Sequence, residues 1–166
     1  MLATKDFRLA VLTAAAMAVL ASPAAAKETA PLWHKTCAKA GGKTDCFVEQ
    51  FTMIRNHGRT VPILHTRMDF DGAGKDKARI LLTTPLGVLL PAGLHLSIDG
   101  GKPFALPFDR CDRYGCTAIA NLNQSATLKL ERGRTLMVRF VVTPKVAPDI
   151  PVRLQGLAAA LRSLRK

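Results

Sequence analysis

The sequence predicts a mainly β domain: a small, disulfide-stapled β-sandwich or barrel-like fold with one or two short helices, one of them C-terminal. Three observations lead there. Short β-rich runs alternate with turn signals from residue 27 onward, at the close spacing of sandwiches and barrels rather than of βαβ units. The cysteines Cys37, Cys46, Cys111 and Cys116 all fall in that stretch. An even count in an exported chain reads as two disulfides. Finally, Leu94, Leu96 and Ile98 alternate with His95, Ser97 and Asp99, the pattern of a strand with one buried face.

The first 26 residues read as a secretory signal peptide. Lys5 and Arg8 make a positive start, Leu9 to Ala21 is apolar apart from Thr13, and Ala24-Ala25-Ala26 offers small residues to a peptidase. The apolar run is too short to span a bilayer, which takes about 20 residues. Cleavage after Ala26 leaves residues 27–166 as a single domain, expected in the periplasm or outside the cell, with outer-membrane association open. No later stretch is apolar enough to span, so no transmembrane segment is expected after cleavage.

The elements follow in order. Trp33 to Cys37 is a strand, Gly41-Gly42-Lys43 a turn, and Cys46 to Ile54 a second strand. Asn56-His57-Gly58 turns into a third run, Val61 to Phe70. Asp71 to Gly74 is a loop, Ala78 to Thr84 a strand, and Gly87 to Leu90 a short buried one. After Leu94–Ile98, Phe104, Leu106 and Phe108 alternate again. An odd, three-residue loop over Gly100–Lys102 puts both apolar sets on one face, pairing Ile98 with Phe104 and Leu96 with Leu106, with a G1 bulge. Pro103 and Pro107 cannot donate ladder bonds, which makes this an edge or a broken strand.

Cys111 to Cys116 is a tight turn and Thr117 to Ala120 a strand. Leu122 to Glu131 holds a short helix if Asn121 or Asn123 caps it, with Gly133 ending it in a left-handed conformation. Thr135 to Thr143 and Ile150 to Leu154 are strands on either side of a Pro144–Pro148 interruption. Leu157, Leu161 and Leu164 fall on one stripe of a final helix, Leu157 to Arg165. Of the three disulfide pairings, the local ones are favoured: Cys37–Cys46 and Cys111–Cys116. Each closes a short loop worth about 2–3 kcal/mol.

Sites of chemistry are scarce. Neither C-x8-C nor C-x4-C suits a redox pair or a zinc knuckle. His34, His57, His65 and His95 are scattered without ligand spacing. Asp69 to Asp76 has the look of a calcium loop, but Ala73 and Ile80 stand where ligands are needed, and Lys75 and Lys77 repel a cation. No serine sits in a nucleophile elbow and no phosphate loop is present. No catalytic residue, metal or cofactor is expected. Carboxylates meeting in the fold are the one enzymatic alternative, a periplasmic hydrolase.

The chain has 24 Lys and Arg against 12 Asp and Glu, for a charge of +12. Lys5, Arg8 and Asp6 leave with the signal, so the mature domain carries +11. Such a field attracts polyanions and anionic surfaces. Dispersed basic residues and few aromatics argue against nucleic acid. Arg162, Arg165 and Lys166, at the end of the final helix, are candidate anion-binding residues that also complement the helix dipole.

Several segments, in order, resemble one known family. Thr84-Pro85-Leu86-Gly87-Val88-Leu89-Leu90-Pro91-Ala92-Gly93 is similar to the "LPLGVLLPPGV" stretch of the invasion-associated locus B family. Ile98 to Pro103, Leu106 to Cys111, Gly115-Cys116-Thr117-Ala118 and the ending Val152 to Leu161 resemble it too, as does the Trp33…Cys37…Cys46 spacing. The departures are Leu157, where that family has an aromatic, and the basic stretches Arg55–Arg59 and Lys75–Arg79. The resemblance implies an exported bacterial β domain linked by name to host-cell invasion, without catalytic residues. Its expected role is to bind an envelope or host component: a protein, a glycan or an anionic envelope surface.

Overall fold

The computed structural model describes residues 31–70 and 77–165. The expected signal peptide, the Asp71–Gly74 loop and Lys166 lie outside the described residues. Ten strands and two helices follow in order: β1 (His34–Ala40), β2 (Lys43–Asn56), β3 (Arg59–Phe70), β4 (Ala78–Thr84), β5 (Leu94–Ile98), β6 (Phe104–Leu106), β7 (Arg110–Asp112), β8 (Gly115–Leu122), α1 (Gln124–Arg132), β9 (Thr135–Phe140), β10 (Asp149–Arg153) and α2 (Leu157–Leu164). Six strands pair in the order β1-β2-β3-β4-β8-β7 and four in the order β10-β9-β5-β6, antiparallel throughout. The sheets pack as a sandwich and close no barrel. The mainly β class and the C-terminal helix are those expected from sequence.

Alternation builds the core. Val48, Leu64, Met68, Ile80, Leu82 and Ala118 of the large sheet are buried against Leu94, Leu96, Leu136, Val138, Phe140 and Val152 of the small one. The stripe Leu157, Leu161 and Leu164 is buried, and α2 packs on β1, β2 and β3. One polar latch crosses between the sheets. The indole N–H of Trp33 and the side-chain amide of Gln50 both donate to the Arg153 carbonyl, each at 3.1 Å.

A bulge sets the register of β2 against β3. Asn56 pairs with Arg59 and Met53 with Pro62, but beyond Thr52 the ladder shifts, so that Phe51 faces His65 and Val48 faces Met68. A slip of one residue exchanges the two faces of a strand. This shift is what aligns buried Leu64 and Met68 with buried Val48.

Three local expectations are corrected. Gly87 to Leu90 is not a buried strand. Between Pro85 and Pro91 the chain bends and makes a 3-10 turn over Leu90–Ala92, leaving Leu86, Leu89 and Leu90 exposed. The β5–β6 loop keeps the expected odd length but starts one residue early and has no G1 glycine. The ladder sets Ile98 opposite Lys102, leaving Asp99, Gly100 and Gly101 between them; Asp99 and Gly100 take positive φ (50° and 73°) and Gly101 N–H donates to the Ile98 carbonyl.

That turn pairs Leu96 with Phe104 and Leu94 with Leu106, two residues from the expected register but of the same parity. Leu106 is accordingly buried beside Leu94 and Leu96, while Phe104 is half-exposed on the edge strand. The third correction is Gly133, which is extended (φ −69°) and not left-handed. Its need is space: a Cβ there would lie 2.9 Å from both Ile98 Cγ2 and the Lys129 carbonyl. Asn123 does cap α1, its side-chain oxygen accepting from Ala126 N–H at 2.8 Å.

Candidate binding surface

The outer face of the six-stranded sheet gathers the most organised polar groups. Period-2 alternation places Thr36, Phe47, Glu49, Phe51, His65 and Arg67 there, and the register brings them together. Glu49 accepts from Thr36 Oγ1 at 2.5 Å and meets His65 Nε2 at 2.8 Å. His65 stacks on Phe51, centroid to centroid 4.3 Å. Next to them the Arg67 guanidinium lies 3.8 Å over the Phe47 ring. Arg67 and Arg79 both donate to Asp69, which is buried. Asp69 thus pairs with two guanidinium groups, the opposite of a calcium ligand's surroundings.

This cluster is not a nucleophilic relay. Such a relay places imidazole between hydroxyl and carboxylate. Here Glu49 stands between Thr36 and His65, so the ring does not touch the hydroxyl, and Phe51 covers one face of it.

Among the described residues the acids are largely engaged within the fold. Glu49 and Asp69 are held as above. Asp99 accepts the N–H groups of Arg134 and Thr135, Asp112 that of Tyr114, and Asp109 pairs with Arg110. Asp149 takes two hydrogen bonds from Arg139, which hold its carboxyl below the ordinary value and push Arg139 up. Lys39, Lys43, Arg55, Arg59, Lys102 and Arg162 are exposed and belong to none of these ion pairs. The cationic excess is therefore presented to solvent.

A cleft of about 410 Å³ opens where α1 meets the sheets, lined by Leu96, Ile98, Phe104 and Leu130 with Lys129 at its rim. It brings no pair of carboxylates together among the described residues.

Of the candidate anion-binding residues, Arg162 is exposed in the last turn of α2, and Arg165 is exposed with its guanidinium 4.7 Å over the Phe70 ring. The four cysteines form Cys37–Cys46 and Cys111–Cys116, each pair directly opposed across a hairpin. The Glu49–His65–Phe51 cluster escaped the sequence reading. The bulge decides which residue His65 faces, and no residue at the bulge announces it.

A family model described as Invasion associated locus B (IalB) protein matches residues 33–165. The chain belongs to this family. The crystal structure of invasion associated protein b from Bartonella henselae is similar in fold, with a TM-score of 0.69 at 22% identity over 83% of this chain and 93% of that one. A comparison with curated protein sequences finds no match. In this invasion-associated locus B domain the motif Gly115-Cys116 has a steric cause. Gly115 has φ +144°, and a Cβ on it would stand 2.1 Å from the Thr84 carbonyl. The Thr84–Gly93 and Gly115–Ala118 motifs meet there, Thr84 pairing with Cys116 where β4 lies against β8. Among the described residues no helix is long and apolar enough to cross a membrane.

Proposed function

We propose that this chain is an exported, non-enzymatic binding domain whose basic surface docks on an anionic envelope or host component. One observation carries this reading. The acids of the described domain are largely engaged by internal hydrogen bonds and ion pairs, while exposed lysines and arginines face solvent unpaired. A surface of that kind concentrates anionic partners. Two disulfides and family membership support export to the periplasm or beyond, after removal of residues 1–26. The name of the similar Bartonella henselae protein, invasion associated protein b, favours a role at the host interface. Arg162 and Arg165 extend the basic surface at the end of α2.

Chromatography of the mature domain on immobilised heparin tests this. Retention is expected to fall steeply with salt, since exposed charges are screened beyond about 8–10 Å at physiological ionic strength. Replacing Arg162, Arg165 and Lys166 by Gln should shorten retention with little change in stability. Elution in the void at low salt overturns the reading.

A further inference from the structure

The β2–β3 hairpin outgrows its sheet. Strand β1 accompanies β2 only as far as Glu49, opposite His34, and β4 accompanies β3 only as far as His65, opposite Thr83. From Phe51 to Leu64 the two strands pair with each other alone among the described residues, making an arm of about 18 Å at 3.3 Å per residue. The arm closes on His57-Gly58 with positive φ at both positions.

Its composition is unusual for an exposed two-stranded ribbon. No acid occurs between Gln50 and Met68. Phe51 is 51% exposed and Met53 47%, and Pro62, the partner of Met53, is exposed as well. Alternation puts Phe51, Met53 and Arg55 on one face, so an apolar patch runs directly into a guanidinium. Arg59 stands at the tip opposite Asn56, on the other face from Arg55, and is exposed too. A contiguous exposed apolar patch on a soluble domain marks a surface that something covers.

We propose that this arm docks the domain on an anionic phospholipid surface, lying in the headgroup region with Phe51, Met53 and Pro62 at the acyl boundary and Arg55 and Arg59 on lipid phosphates. The proposal deepens the reading of the domain as a binder of anionic surfaces and rests on it. Charge complementarity selects the lipid: the arm carries cations and no acids, and long arginine stems let apolar and charged groups share one interface. The outer backbone edges of the arm are unpaired by strands, which confines it to the wet interface and excludes the hydrocarbon core. Pro62 removes a ladder donor from the β3 edge, which disfavours strand addition by a protein.

The test is sedimentation of the full mature domain with vesicles of phosphatidylcholine alone or mixed equally with phosphatidylglycerol. Wild type should partition onto the anionic vesicles. Met53→Ser with Pro62→Ser, and separately Arg55→Gln with Arg59→Gln, should each lower partition about tenfold while heparin retention persists through the remaining cations. Met53→Trp should be quenched by brominated lipid, whereas buried Trp33 in the wild type should not. Undiminished partition in both double variants, or an unquenched Met53→Trp protein that still sediments, overturns the arm and leaves the basic-surface reading standing. Wild type that binds neither heparin nor anionic vesicles overturns both. Loss of a co-purifying protein from the arm variants, with vesicle partition unchanged, makes the occupant a protein and also overturns the proposal.

Discussion

Trp33 and Gln50 converge on one acceptor, and their coupling is measurable. Both donate to the Arg153 carbonyl at 3.1 Å, tying β2 and the residue before β1 to the end of β10. Trp33→Phe removes one donor and part of a ring that is 4% exposed. The lost hydrogen bond is worth about 1 kcal/mol and the lost apolar area about 1–2 more. Gln50→Met keeps the volume and removes the other donor, for about 1 kcal/mol. In either single variant the carbonyl keeps one partner. In the double variant it has none, which adds about 1–2 kcal/mol beyond the sum. Urea unfolding of the oxidised domain reads all four corners of the cycle, with the denaturant slope held constant as the check on two-state behaviour. Additivity within about 0.3 kcal/mol would refute the shared acceptor as the link between sheets.

Other consequences follow from the same packing. Leu96→Ala, at a side chain 1% exposed between the sheets, should cost about 2–4 kcal/mol in the same assay, with His95→Ala on the solvent face near zero. Gly115→Ala should cost about 2–4 kcal/mol, because its Cβ would collide with the Thr84 carbonyl. Gly87→Ala, with positive φ but open space around it, should cost clearly less. Arg139→Gln should raise the Asp149 carboxyl toward its ordinary value, as followed by NMR titration. Because the folded value is the lower one, the pair's contribution to stability is present above the ordinary carboxylate range. It fades as pH falls through the depressed value.

What could be read from the sequence was whatever local pattern alone decides. Ala78 to Thr84 is the observed β4 to the residue, and the Leu157, Leu161, Leu164 stripe is the buried face of α2. Short spacing sufficed for the cysteine pairs, since each lies across a tight hairpin. Parity in the β5–β6 hairpin was also legible, because only one parity buries both apolar sets. Its register was not: Asp99 itself takes the left-handed conformation, stabilised from a distance by the N–H groups of Arg134 and Thr135. Gly133 looked like a helix end and is instead a contact point for Ile98 and Leu154. The Glu49–His65–Phe51 cluster depends on a bulge near Thr52, and the apolar run at Gly87–Leu90 on tertiary bonds such as Leu89 N–H to the Val141 carbonyl. Long-range partners, absent from any local pattern, decided each of these.

The proposed binding of anionic surfaces rests on the surplus of surface cations left unpaired among the described residues. Its most direct test is the partition of the mature domain between buffer and vesicles across a salt series, comparing anionic with purely zwitterionic lipid. Strong partition onto the anionic vesicles is expected at low salt, with a steep decline as salt rises and little partition onto the zwitterionic ones. Equal partition onto both lipids, unchanged by salt, would contradict it.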